Sequence, residues 1–295
     1  LEQFGFLGIY GIGFVLAVAA GTLTLLPPRI ACGAAVFLVG GLTLLTNLAP
    51  RAGSTGKSGH IDNKPLTVAG LQLEFPSALE VPALLDKLIQ KVPQAELLIL
   101  SEYTFDGPVP ERVLAWCRAN RRFLIAGGKR SEPGGDFCNT AFVVGPEGTV
   151  VFEQVKSVPI QFFKDGQPAK ARQVWPSPWG KIGICICYDL SYTRVTDDFI
   201  RQEAQALIVP TMDVQEWGEH QHRLHSRVAP VRAAEYGIPI FRLASSGISQ
   251  LVDRNGAVRA RAPFGGEGEI IHGELVLAAS GSKPVDRVLA PVSVG

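Results

Sequence analysis

The feature that most constrains this chain is its nearly chargeless beginning. Glu2 and Arg29 are the only charged side chains in the first 50 residues. Residues 4–26 form an uncharged, mostly apolar run of 23, and residues 30–49 a second run of 20. A helix needs about 20 residues to cross roughly 30 Å of hydrocarbon. A core helix of that length in a soluble protein normally shows charge on one face. Pro27-Pro28-Arg29 separates the runs and marks a hairpin tip. Residues 1–50 are therefore predicted to be a two-helix transmembrane hairpin. A cleaved signal peptide fits poorly, because no basic segment precedes the first run and a second run follows at once. Ala17 and Gly21 form a small-xxx-small pair, which suits close helix packing in lipid. The sequence opens on Leu, so the hairpin is expected to be the end of a longer membrane region. Arg29 at the tip and Arg51, Lys57 and Lys64 beyond it favour opposite orientations.

Charge excludes one class of partner. The chain has 28 basic and 27 acidic side chains and a formal net charge of +1. That balance leaves no broad electrostatic footprint for nucleic acid. Five cysteines with no CxxC pair give neither a disulfide scaffold nor a zinc site.

Residues 51–64 are rich in Gly, Ser and Lys and read as a linker. Residues 65–278 alternate short apolar runs with helical patterns. Strands are predicted near 66–73, 97–100, 122–126, 140–144, 149–152, 181–187, 206–209, 239–243, 248–253, 257–262 and 270–277. Helices are predicted over 79–92, 111–120, 196–204 and 217–236. The mixture is that of a layered α/β sandwich. Residues 279–295 form a C-terminal tail, too short and polar to span a membrane.

Three residues stand where chemistry is possible. Cys187 ends an apolar run, Gly183-Ile184-Cys185-Ile186-Cys187-Tyr188-Asp189. A cysteine at a strand end can point its sulfur into a pocket while the next N–H faces an oxyanion. Cys185 is its packing alternative, since both would share one face of an extended strand. Glu102 follows the buried run Leu97-Leu98-Ile99-Leu100, where partial desolvation suits a carboxylate to accept a thiol proton. Taken alone it is more often an ordinary loop acid. Lys156 follows another strand and can stabilise an oxyanion, or simply be a solvated charge.

In that chain order, Glu102, Lys156 and Cys187 resemble the triad of the nitrilase superfamily of carbon–nitrogen hydrolases. The resemblance implies an α/β fold, a nitrilase-like αββα sandwich, here preceded by the transmembrane hairpin. It implies Glu102 as general base, Lys156 as oxyanion-stabilising group and Cys187 as nucleophile, with the Tyr188 N–H in the oxyanion hole. Gln221-His222, Arg232-Ala233-Ala234-Glu235-Tyr236-Gly237-Ile238-Pro239, Arg242, Ser246-Gly247-Ile248-Ser249 and Asp253-Arg254-Asn255-Gly256 look like the apolipoprotein N-acyltransferase branch. That branch places its domain on the extracytoplasmic side of a membrane. It moves an acyl chain from a phospholipid through a cysteine thioester to the amine of a lipoprotein. Departures from the branch are Lys164 where a loop Glu is usual, Asp189 in place of Glu, no Trp-Pro before Glu102, and no final membrane helix.

Water as the acceptor makes such a site a hydrolase of a small amide; an amine makes it an acyltransferase. A non-catalytic scaffold is the remaining alternative, motivated by Lys164. The triad needs neither a metal nor a cofactor. His220, His222 and His225 lack the i, i+4 spacing of paired metal ligands on a helix. Oligomeric state is open.

Overall fold

A computed structural model describes residues 2–48 and 65–289. The linker expected over 51–64 lies outside the described residues, as do residues 290–295.

Two helices open the chain, α1 (Glu2–Leu25) and α2 (Pro28–Leu48), and they pack on each other. Pro28 begins α2 at a position where a missing N–H leaves no bond unmade. Within α1, Phe6–Leu25 is long and apolar enough to cross a membrane, and almost none of it is buried. Gly8 interrupts α1 with φ 74° and ψ 171°.

Beyond residue 65 the chain forms β1 (Leu66–Leu71), α3 (Val81–Lys91), β2 (Leu97–Ile99), α4 (Glu111–Asn120), β3 (Phe123–Ser131), β4 (Phe137–Val144) and β5 (Val150–Val155). There follow β6 (Trp175–Ser177), β7 (Gly180–Ile184), α5 (Thr193–Arg201), β8 (Ala206–Thr211), α6 (Gly218–Ser226) and α7 (Val228–Tyr236). The chain continues with β9 (Ile240–Ala244), β10 (Ser249–Val252), β11 (Val258–Ala262), β12 (Ile270–Leu275) and α8 (Val285–Leu289). One six-stranded sheet has the order β12-β1-β2-β3-β4-β5, the other β11-β10-β9-β8-β7-β6. The central pairs β1–β2, β2–β3, β7–β8 and β8–β9 are parallel, and antiparallel strands flank them.

Alternation along the strands builds the layers. In the run 97–100, Leu97 and Ile99 enter the core between the sheets, beside Ile184, Ile208 and Phe241. Leu98 and Leu100 face outward and are covered by Leu85 and Leu88 of α3 and Val113 of α4. On the opposite side, α5 and α7 cover the second sheet with Phe199, Ala233 and Tyr236. The result is an αββα sandwich whose strand ends converge on one buried region.

The helix predicted over 217–236 is two helices, α6 and α7, meeting at Arg227. Pro230 lacks the N–H that would bond back to Ser226, so the ladder is interrupted there. The strand predicted over 181–187 ends at Ile184. Part of the predicted tail folds onto the sandwich: Gly281 and Ser282 donate to Ala204 O and Tyr236 O, and Arg287 of α8 is buried.

Candidate active site

Glu102, Lys156 and Cys187 come together between the two sheets, each nearly inaccessible at 1%, 0% and 2% exposure. Glu102 sits just beyond β2, in a turn where Tyr103 takes φ 54°. Strand β3 supports this turn at close range. The Gly127 N–H donates to Ser101 O at 3.0 Å, and a Cβ on Gly127 would stand 2.5 Å from the Glu102 Cα.

Every oxygen of the Glu102 carboxylate is engaged. Oε1 accepts from Lys156 Nζ at 2.8 Å and from Asn139 Nδ2 at 2.6 Å. Oε2 accepts from the Met212 N–H at 2.8 Å. Lys156 follows β5 and also lies 2.7 Å from Asp165 Oδ2. Burial opposes the charge on Lys156, but Glu102, Cys187 and Asp165 outweigh it and hold the ammonium well above the usual lysine range. The amine therefore stays a cation, the state in which it could stabilise an oxyanion.

Cys187 opens a 3₁₀ turn, Cys187–Ser191, with φ 51°. Its thiol donates to Met212 O at 3.8 Å. Burial, then the Glu102 charge, pushes the thiol well above its ordinary value, with Lys156 acting the other way. The thiol is thus neutral at rest, and a base would have to take its proton for it to act as a nucleophile. Because the strand stops at Ile184, Cys185 and Cys187 do not share a face. Cys185 packs outward with Leu190 and Phe199, and Cys187 joins the core between the sheets. Fold geometry separates two cysteines that periodicity leaves equivalent.

Asp189 fixes the turn to the segment after Lys156. Its carboxylate accepts from the N–H groups of Ser157 (3.0 Å), Val158 (2.8 Å) and Ile186 (3.2 Å). Burial pushes Asp189 up to about 6, with the Ser157 N–H and the Lys156 charge working against it. Tyr188 follows Cys187 in the turn. Its ring is 39% exposed and meets Tyr192 edge-on at 5.0 Å.

Sequence reasoning missed Asn139, Asp165 and Met212. Asn139 offered one signal, a polar Asn-Thr pair inside the otherwise apolar β4. Asp165 was hidden behind Lys164, whose side chain is 70% exposed and reaches toward Asp136. The buried carboxylate on Lys156 is the next residue along. Asp165 also accepts from Tyr103 Oη (2.6 Å), Asn139 Nδ2 (2.8 Å) and the Ile160 N–H (2.8 Å).

The histidines serve a neighbouring cluster. His225 Nδ1 lies 2.8 Å from Asp213 Oδ1 and His222 Nδ1 3.6 Å from Oδ2. Arg242 Nη2 occupies the same carboxylate at 2.5 Å. Burial works against the Asp213 charge, yet Arg242 and the two histidines hold that carboxyl far below its usual range.

A cavity of about 500 Å³ opens beside Tyr103 and Met212, walled by Phe75, Phe105, Phe163 and Trp217, with Asp106, Lys129 and Lys164 also in its lining.

A buried Glu–Lys–Cys cluster between the sheets of an αββα sandwich defines a class of cysteine-dependent enzymes. The chain belongs to the carbon-nitrogen hydrolase family, whose model matches residues 77–283. Among curated relatives, apolipoprotein N-acyltransferase of Geobacter metallireducens is 23% identical over 67% of this chain and 44% of that protein. Omega-amidase NIT2-B of Xenopus laevis is 31% identical over 30% of this chain and 36% of that protein. The chain thus spans less than half the length of these two relatives. Among solved structures, Saccharomyces cerevisiae Nit3 superposes with a TM-score of 0.63 at 18% identity, covering 78% of this chain and 94% of that one. An amidase from Nesterenkonia sp. gives 0.61 at 18% identity, covering 72% and 91%. Both support the fold.

Proposed function

We propose that the protein is a membrane-anchored acyltransferase that carries a lipid-derived acyl chain as a Cys187 thioester to an amine. The carrying observation is the largely aromatic cavity beside Tyr103 and Met212, the residue whose N–H donates to Glu102. Its volume is in the range of ligand pockets, and aromatic walls suit a hydrocarbon chain better than a small polar amide. The span-like α1 supports a lipidic donor, as do the exposed Phe14, Leu16, Val36 and Phe37 on the two helices. In this reading residues 1–50 are the membrane hairpin, residues 65–278 the catalytic domain, and the catalytic side is extracytoplasmic. The motif resemblance to the acyltransferase branch motivates the last point.

The chemistry follows from the site. Cys187 Sγ attacks the donor's ester carbonyl as its proton passes to Glu102. The charge on the resulting oxyanion is met by Lys156 and the Tyr188 N–H, and contacts of this type often lower the barrier to acyl transfer more than any other. The ester C–O bond breaks, and Glu102 returns the proton to the departing alcohol. The thioester remains. An amine then attacks it, the C–S bond breaks, and a proton returns to sulfur as the amide forms. Water in place of the amine would give hydrolysis, and the partial likeness to omega-amidases favours that as the second reading.

The test is intact-mass spectrometry of the detergent-solubilised chain with phospholipid micelles and, separately, with a panel of small amides. A fatty-acyl increment absent from Cys187→Ala is expected. Turnover of a small amide without any lipid adduct would replace transfer by anchored amide hydrolysis. Silence with both, in folded protein, would favour a scaffold.

A further inference from the structure

The segment Arg232-Ala233-Ala234-Glu235-Tyr236 takes no part in the chemistry at Cys187. It lies on α7, between the interrupted start of α1 and the turn that begins at Cys187.

Gly8 holds a backbone conformation that is essentially restricted to glycine. The interruption starts a fresh helix at Ile9, and the first N–H groups of any helix lack intrahelical partners. Two domain carboxylates supply them. The Ile9 N–H donates to Glu235 Oε1 at 2.9 Å. The N–H groups of Tyr10 and Gly11 donate to Asp286 Oδ2 at 3.0 and 3.3 Å. The positive end of the helix dipole thus meets two acids. A Cβ at position 8 would stand 2.1 Å from Asp286 Oδ1.

Glu235 is fully buried, so it must be paired. Arg287 Nη2 lies 2.9 Å from its Oε1, and Arg232 Nη1 donates to its Oε2. Arg232 turns its remaining donors the other way. Nε donates to Leu190 O at 3.0 Å and Nη2 to Ser191 O at 2.8 Å. Those carbonyls close the 3₁₀ turn that Cys187 opens. Two side chains therefore span the distance from the apolar helix to the turn. The rigid fork of a guanidinium makes the link directional, since the carboxylate at one end sets where the donors at the other can lie. The left-handed conformation of Cys187 also needs such support, because strained backbone persists where its surroundings over-determine it.

We propose that Arg232 and Glu235 are positioning residues that transmit the docking of α1 at Gly8 to the turn that aims Cys187. The inference rests on Cys187 being the nucleophile. It makes the apolar helix part of the catalytic apparatus as well as an anchor.

The test uses the full chain in detergent micelles as wild type, Gly8→Ala, Glu235→Gln and Arg232→Lys. Saturation kinetics of Cys187 alkylation by iodoacetamide, resolved by peptide mass spectrometry, separate the maximal rate from the half-saturating concentration. Hydrogen–deuterium exchange reports on the backbone of residues 187–191. The maximal rate is expected to fall about tenfold in each variant with the half-saturating concentration unchanged, as for a reacting atom displaced by a fraction of an ångström. Exchange at 187–191 is expected to quicken. A lower Tm with both readouts unchanged would mean a merely structural role and overturn the proposal. Should Glu235→Gln fail to fold, Gly8→Ala carries the test, since it leaves the side chains of the domain intact. If wild-type Cys187 reacts no faster than Cys138, the nucleophile assignment fails, while exchange at 187–191 still decides whether the link exists.

Discussion

Lys156 Nζ lies 2.7 Å from Asp165 Oδ2, as close as it lies to Glu102 Oε1. One buried ammonium thus serves two buried carboxylates, and Asp165 collects three further donors from Tyr103, Asn139 and Ile160. Asp165→Asn removes one charge from this set and puts an amide among donors. Loss of one member of a buried ionic group destabilises by about 3–5 kcal/mol. A large fall in Tm is expected, together with a loss of thioester formation, since Lys156 no longer has two anchors. Thermal melts and acyl-adduct yields check both, and wild-type values for each would show Asp165 to be dispensable.

The two cysteines of the Cys185–Cys187 pair are expected to behave oppositely. Cys187→Ala should abolish adduct formation and leave the fold intact. Cys185→Ala deletes a sulfur from the outer packing layer, should lower stability by about 1 kcal/mol, and should retain adduct formation. Equal loss of chemistry in both would contradict the separation of faces described above.

Asp189 gives the site a pH dependence with two signs. Its folded pKa, about 6, lies above the ordinary 3.8, so the native state binds the proton more tightly than the unfolded chain. Its contribution to stability is full below the unfolded value and is lost as pH rises through about 6. Activity runs the other way, because the carboxylate accepts from Ser157 and Val158 when ionised. The maximal rate is expected to fall as pH drops through about 6, and Asp189→Asn to abolish that limb while lowering the plateau. Rate profiles of both proteins across this range, from about one pH unit below the Asp189 pKa to about two above it, measure the effect. An unchanged acid limb in Asp189→Asn would assign it to another group.

Gly127→Ala tests how closely β3 must approach the Glu102 turn. The added Cβ meets backbone atoms of Ser101, Glu102 and Tyr103 within 2.8 Å, and none is the end of a flexible side chain. Overpacking of this kind costs about 1–3 kcal/mol. Reduced Tm and reduced adduct formation should appear together, because the strand cannot move away without taking the Glu102 support with it.

The sandwich was legible because its signals are local. Helix 111–120 has Pro110 before it, Glu111 in its first turn and Arg118 in its last, and the structure forms it over those residues. The unbroken apolar run 97–100 reads as a buried strand, and all four residues are buried. What stayed hidden depends on distant partners. The strand before Cys187 ends at Ile184 as Asp189 ties Ile186 to Ser157 and Val158, about thirty residues away in sequence. Asp165 and Asn139 enter the site through register and loop path, and neither leaves a periodic trace. The hairpin of two apolar runs forms as two helices, while a membrane span is supported by length and composition for α1.

The antiparallel pairing of β1 with β12 sets Leu66 opposite Leu275. Strand β1 leaves the ribosome first among the strands, yet one of its two edges stays open until almost the whole domain has been made. Contacts that close so long a loop form slowly. The nascent domain therefore passes through a stage in which an apolar edge is exposed, and an unpaired edge is a template for association. Synthesis that stalls before residue 270 would leave a chain with its first helices formed and an open sheet edge, a natural target for chaperones and quality-control proteases.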